Sequence, residues 1–318
     1  MHHIQNSDIV RNRRLFYIPP KKRQRLYLFL AAIPFMAFFF MFNYVPLFGW
    51  IYTMFDYRLG VPFLDFFRSQ FVGFKYFLKI LNESKEVLRV LRNTLTMSFL
   101  GILVSPLPII FAILLNEIKH GKLKRLIQTV TTLPNFISWI IVFSLATAMF
   151  APSGLVTGAL VHFGLGSPMG FLGDVKTVWI FQLFLGIWKS LGWAAIIYIA
   201  AIAGIDTELY DATMIDGANR FQSIVHVTVP GVIPTYLVLL LLSISNVLTN
   251  GFEQYFMFYN SLVADRIEVL DYYVYKMGIL VNDYSYSITI GMLRSIISIG
   301  LLFFVNYLSK KLRGSSLV

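Results

Sequence analysis

Six long apolar stretches, at roughly 26–52, 93–116, 133–150, 177–203, 232–252 and 286–308, constrain this chain more than any other feature. A helix advances about 1.5 Å per residue, so about 20 apolar residues cross the roughly 30 Å of hydrocarbon in a bilayer. Lipid offers the backbone no hydrogen-bond partners, which restricts spanning segments to helices or closed barrels. Runs of this length lack the in–out alternation of barrel strands. The sequence predicts an all-α polytopic membrane protein with six transmembrane helices. Composition agrees: 57% of side chains are hydrophobic and 14% charged, against about 45–50% and about 25% in soluble domains. The first stretch, from Leu26, is too long for a signal-peptide core and lacks a small-residue cleavage site, so it reads as a retained span.

A net charge of +11 would point a soluble chain towards nucleic acid. Here the cations gather at span ends, where they set topology instead, and no nucleic-acid partner is expected. Arg11, Arg13, Arg14, Lys21, Lys22, Arg23 and Arg25 precede span one, Lys119, Lys122, Lys124 and Arg125 follow span two, and Lys310, Lys311 and Arg313 follow span six. With Arg220, one face carries fifteen cations against six acids, and the other ten against ten. The positive-inside rule then places both termini in the cytoplasm. The division is a basic tail over 1–25, a six-span transmembrane domain over 26–308 and a second basic tail over 309–318. Segment 53–92 reads as extracytoplasmic with a short interfacial helix around Phe71–Leu81. Segment 151–174, rich in Gly, Ser and Pro, reads as loop, and 253–285 lies outside. No internal repeat is visible, which argues against a secondary carrier built from paired halves.

The chain has no cysteine, and its five histidines show no ligand spacing. Disulfides, thiolate chemistry and a metal site are not expected. No catalytic constellation is found either.

One interior connection stands apart. Residues 206–230, within a loop covering 204–230, are 25 in number, whereas helix–helix connections usually take about 2–8. Glu208 to Ile215 favours a helix, Gly217 permits a sharp turn, and Pro230 opens the next span. Glu208 and Asp211 fall on one face of that helix. Helices that lie on membranes are usually rich in Lys and Arg. An acidic one projecting from a bundle suits a groove on a soluble partner.

At these residues the chain resembles the membrane subunits of binding-protein-dependent ATP-binding-cassette importers. Their cytoplasmic signature reads Glu-Ala-Ala, three residues, Gly, nine residues, Ile, one residue, Leu-Pro. Asp211-Ala212-Thr213, Gly217, Val227 and Val229-Pro230 fall at those spacings, with Asp for Glu, Thr for the second Ala, and Val for Ile and Leu. Asn93-Thr94, Leu114–Ile118 and Thr132–Ser138 look like the carbohydrate-uptake group that handles complex oligo- and polysaccharides, such as alginate or pectin fragments. The resemblance implies a type I importer permease whose coupling helix docks on an ATPase. It also implies a second homologous membrane subunit, two ATPase subunits and an extracytoplasmic solute-binding protein. ATP and Mg would be held by the ATPases, because this chain has no G-x-x-x-x-G-K-[ST] loop. In that frame Glu208 and Asp211 supply the acidic docking face, Asp211 accepts the ion pair, and Ala212 and Gly217 allow close seating.

Two cations sit within spans. Lys189 and Arg294 lie roughly 18 and 12 Å from the outer ends, a depth at which charge faces a bundle interior or a watery cavity. One reading has each bound to a backbone carbonyl or to an acid of the partner subunit. The sharper reading has both lining the path of an acidic, uronate-containing saccharide. Trp188, Trp193, Asn246, Asn250, Glu253 and Gln254 complete the expected lining, since sugars are held by amides, carboxylates and aromatic faces. The competing classes are a polytopic enzyme acting on a lipid-linked sugar and a stand-alone carrier. The enzyme would need acids gathered at one membrane face, and the cytoplasmic acids lack an Asp-x-Asp pair.

Overall fold

The computed structural model describes residues 20–57, 70–164 and 170–313. Most of the basic tail over 1–25, and residues 314–318 of the second tail, lie outside the described residues. Among the described residues, six helical stretches are long and apolar enough to cross a membrane: Gln24–Met54, Ser84–Asn116, Trp139–His162, Val178–Ala203, Arg220–Ser245 and Tyr284–Lys311. They follow the six stretches expected from the sequence, although several are not single straight helices.

Span one is α1 (Pro20–Asn43) continued by a 3-10 segment, Val45–Met54. After α2 (Lys75–Asn82), span two is α3 (Ser84–Leu103) and α4 (Leu107–Asn116), joined by a turn that contains Pro106. Proline supplies no N–H to the helical ladder, so the two halves meet at a break. A break also precedes span three. α5 (Gly121–Thr132) leads through a 3-10 turn, Leu133–Phe136, into α6 (Trp139–Phe150), with Ile137 and Ser138 extended. The expected stretch 133–150 thus begins in this break rather than at a helix start.

Segment 151–174 corrects the reading from composition. Its Gly, Ser and Pro fall mainly on either side of an apolar run, at 152–154 and 164–173, and that run forms α7 (Leu155–His162), which packs on α6. Span four is α8 (Val178–Ala203), followed by α9 (Thr207–Ile215). A helical turn at Arg220–Ser223 and a π-helical turn at Ile224–Thr228 lead into α10 (Val229–Ser245), completing span five. Beyond it come α11 (Phe252–Phe258), α12 (Leu270–Tyr275) and span six, α13 (Tyr284–Arg313).

α8 is the hub, packing against α3, α4, α5 and α10. Its buried positions, Val178, Phe181, Gln182, Leu185, Gly192, Ala195, Tyr198 and Ile202, recur at the three-and-four spacing that makes one helix face. Gly192 is required by sterics: a Cβ there would collide with the Thr131 backbone carbonyl of α5. Two apolar clusters result. One, around Phe181, Leu185, Phe258 and Val269, lies towards the end of the bundle opposite α9, and the other, around Ala112, Ala195, Tyr198 and Val232, lies towards the α9 end.

Candidate functional site

Between those clusters lies a cavity of about 680 Å³. Its walls come from the α3–α4 turn, Trp139 of α6, the middle of α8, α10 and the α10–α11 turn. Polar groups reach it from Ser98, Gln182, Ser190, Asn246, Asn250 and Gln254, and no charged residue lines it among the described residues. The Gln254 Nε2 donates to Gln182 Oε1 at 2.8 Å and to the Gln182 carbonyl at 2.9 Å. Asn250 Nδ2 donates to Ser98 Oγ at 2.8 Å, while its Oδ1 is buried and without a hydrogen-bond partner among the described residues. A buried amide oxygen left unpaired costs about 1–3 kcal/mol, so Asn250 is held in place by its Nδ2 and backbone bonds at that cost.

Three of the eight expected lining residues meet here: Asn246, Asn250 and Gln254. The others do not. Trp193 stands against Phe136, ring centroids 5.7 Å apart, and Trp188 and Glu253 are exposed away from the cavity. Lys189 is directed to the break ahead of span three, where its Nζ donates to the carbonyls of Pro134, Asn135 and Ile137 at 3.2, 2.8 and 2.7 Å. A helix end leaves carbonyls unpaired; one ammonium answers those of Asn135 and Ile137 and joins the Ile137 N–H on that of Pro134. Arg294 ion-pairs with Asp271 of α12, whose other oxygen accepts the backbone N–H of Asn250 at 2.8 Å and of Gly251 at 3.0 Å. Both cations therefore hold backbone near the cavity rather than facing into it. Sequence reasoning missed Gln182, Ser98 and Asp271. Each is an ordinary polar residue whose partner lies far away along the chain.

The end of the bundle opposite α9 is tied by a polar network. Glu268, 1% exposed, accepts from Arg89 at 2.6 Å and from Lys276 at 2.9 Å. Burial opposes the charge on Lys276, but the Glu268 carboxylate more than offsets it and raises the Lys276 pKa. Burial also pushes the Tyr272 phenol up to about 12. Asn93 Nδ2 donates to the Asp265 and Glu268 carbonyls at 3.0 Å each, and Thr94 Oγ1 accepts the Leu270 N–H at 2.8 Å. The Asn93-Thr94 pair thus pins the segment between α11 and α12.

At the other end, α9 begins with Asp206, whose side chain accepts the Glu208 N–H at 3.0 Å. Gly217 turns the chain at φ +74°, in the left-handed region, with open space around it. Its conformation rather than close seating within this chain calls for glycine. Asn219 and Gln222 then form a reciprocal capping box. Tyr210 bonds Thr228 at 3.0 Å and Thr213 bonds Ser223 at 2.9 Å, so one side of α9 is fixed to the start of span five. The other side is exposed. It carries Glu208, Asp211 and Ala212, but also Leu209, Met214 and Ile215, the last 86% exposed, with Phe221 nearby. The projecting surface is as apolar as it is acidic, a property that the acid spacing did not reveal.

This combination of six spans, a central cavity and a fixed but outwardly bare loop matches known proteins. Residues 104–314 match the family described as "Binding-protein-dependent transport system inner membrane component". The chain belongs to that family. It is 39% identical to Protein LplB of Bacillus subtilis (strain 168) over 90% of this chain and 89% of the relative. It is 35% identical to the polygalacturonan/rhamnogalacturonan transport system permease protein YteP of the same organism, over 91% and 89%. Among solved structures it resembles a chain from a bacterial ABC transporter involved in the import of the acidic polysaccharide alginate. That match has a TM-score of 0.82 and 29% identity, covering 92% of this chain and 97% of the other. A second alginate transporter structure, in complex with an alginate pentasaccharide-bound periplasmic protein, gives a TM-score of 0.81. The permease is thus a multi-pass membrane component of an ABC importer and a transport subunit, not an enzyme.

Proposed function

We propose that this permease forms, with a second homologous subunit, the translocation path of an ATP-driven importer for oligo- or polysaccharides, including uronate-containing ones. The amide- and hydroxyl-lined cavity carries the reading. Sugars present many hydroxyls, each both donor and acceptor, and amides match both roles. Asn246, Asn250 and Gln254 read hydroxyls, and the uncharged wall leaves carboxylates on an acidic saccharide to groups on the other subunit. Lys189 and Arg294 act one step back, as positioning residues. The names of the relatives support a saccharide cargo of this class.

The loop over 204–230 is the coupling element on the cytoplasmic side, and both termini share that side. Two ATPase subunits hold ATP and Mg, and one of them receives α9. Asp211 and Glu208 meet cations on the ATPase, while Leu209, Met214 and Ile215 supply apolar contact that displaces water. Ala212 leaves the exposed face low enough for close approach, and Gly217 holds the turn. An extracytoplasmic solute-binding protein delivers cargo to the opposite end.

The test is ATPase activity of the complex purified through this chain, in lipid, with its binding protein and a panel of acidic and neutral oligosaccharides. Stimulation by one class, lost in Asn250→Leu, is the expected result. Absence of any co-purifying ATPase would return the lipid-linked-sugar enzyme and the stand-alone carrier to consideration.

A further inference from the structure

The short helix α2 is apolar on two sides, and only one of them is covered. Its inner side is anchored: Tyr76 is buried and donates from its OH to Asp56 at 2.9 Å, and Lys79 Nζ reaches Asp283 at 2.7 Å. Its outer side carries Phe74, Leu78 and Leu81, exposed by 65, 58 and 70%. Beside them runs an open groove of about 520 Å³, apolar along Val72, Phe74 and Leu78 and polar at Lys75, Lys79 and Asn82.

The level of this helix is set by its neighbours. α2 runs directly into α3, and Asp283 immediately precedes α13, so α2 lies where spans two and six enter the bilayer. Its apolar stripe also continues onto α3 through Leu88, Leu95, Phe99 and Leu103, all exposed on the face that a spanning helix turns to lipid. Water would meet a bare apolar surface at α2, whereas the headgroup–acyl boundary matches it in depth and polarity.

We propose that this groove binds a phospholipid of the leaflet opposite α9. The acyl chain lies along Phe74 and Leu78, and the phosphate meets the Lys75 ammonium. Lys75 is 53% exposed and gives one donor to Asp56 at 3.3 Å, leaving others for a phosphate. The lipid seats α2 from outside while Tyr76 and Lys79 seat it from within. The contact rests on the position of α2 against the spans, independent of which side of the membrane is cytoplasmic.

The chain has no native cysteine, so single sites can be spin-labelled in the assembled importer in phospholipid nanodiscs. Phe74→Cys, Leu78→Cys and Leu81→Cys labels should be more accessible to oxygen than to an aqueous nickel chelate, approaching a Phe99→Cys label and unlike Lys85→Cys. Dominant nickel access would place the groove in water, and low access to both would place it under a protein subunit. Either result overturns the proposal. An unlabelled complex exposed to a phospholipid with a photoreactive acyl chain guards against disturbance by the labels. Adducts on 72–81 are expected, reduced in Lys75→Glu while those on α3 stay constant. Adducts confined to α3, or a yield at α2 indifferent to Lys75→Glu, would overturn the groove as a lipid site.

Discussion

Arg294 and Asp271 form an ion pair between α13 and α12, and the same carboxylate takes the backbone N–H of Asn250. A cation in span six therefore fixes the turn that presents a cavity amide. Arg294→Met should lower saccharide-stimulated ATPase and transport while the complex still assembles. Arg294 retains 28% side-chain exposure, so the stability loss falls below the about 3–5 kcal/mol of a fully buried pair, at about 1–3 kcal/mol. Thermal unfolding of the purified complex measures this, and Arg294→Lys should recover part of it.

Lys189→Met removes the donor shared by three carbonyls at the break ahead of span three. Those of Asn135 and Ile137 lose their partner at up to about 1–3 kcal/mol each, less what relaxation of the turn recovers, while that of Pro134 keeps the Ile137 N–H. The unfolding midpoint should fall clearly, and the preference between acidic and neutral saccharides should not change. A shift in that preference would move Lys189 back to the substrate path.

Asp211→Lys and Ile215→Asp attack the two characters of the α9 surface separately. Both should uncouple ATP hydrolysis from transport without affecting membrane insertion, and Ile215→Asp should also weaken retention of the ATPase during purification. Gly217→Ala places a side chain at φ +74°, a strain of about 1–2 kcal/mol. It should lower coupling moderately with little effect on retention. Wild-type ATPase and transport rates in Asp211→Lys would remove that residue from the docking face.

The Glu268 network carries a pH signature. The Lys276 pKa is higher in the folded protein than its ordinary value of about 10.4, so its contribution to stability is complete below that pH and is lost as pH rises through the folded value. Tyr272, raised to about 12, acts in the same direction from about pH 10 upward. Unfolding midpoints should be insensitive to these two groups near neutrality and decline in alkali. The decline should be shallower in Lys276→Met, which starts from a lower stability.

The six spans were legible because lipid imposes one rule on every residue of a stretch, and α9 was legible because its signals, Asp206 to Gly217, are local. Lys189 and Arg294 were visible as anomalies, but their acceptors were not. Ile137 lies 52 residues from Lys189, and Asp271 lies 23 from Arg294 on a different helix. α7 was hidden because the Gly, Ser and Pro on both sides of it, at 152–154 and 164–173, dominate the composition of its segment. The uncovered side chains on α9 are apolar residues of ordinary kind, and only the fixed contacts of Tyr210 and Thr213 determine which of them are left outside.

The break ahead of span three lets α5 act as a lever. α5 has twelve residues, a rod of about 18 Å, pressed against α8 at Gly192 near one end and joined to α6 by extended residues rather than by helix. A tilt of about 10° about that fulcrum carries the Gly121 end through about 3 Å while α6 and the cavity wall at Trp139 stay still. Two continuous helices could not separate those movements.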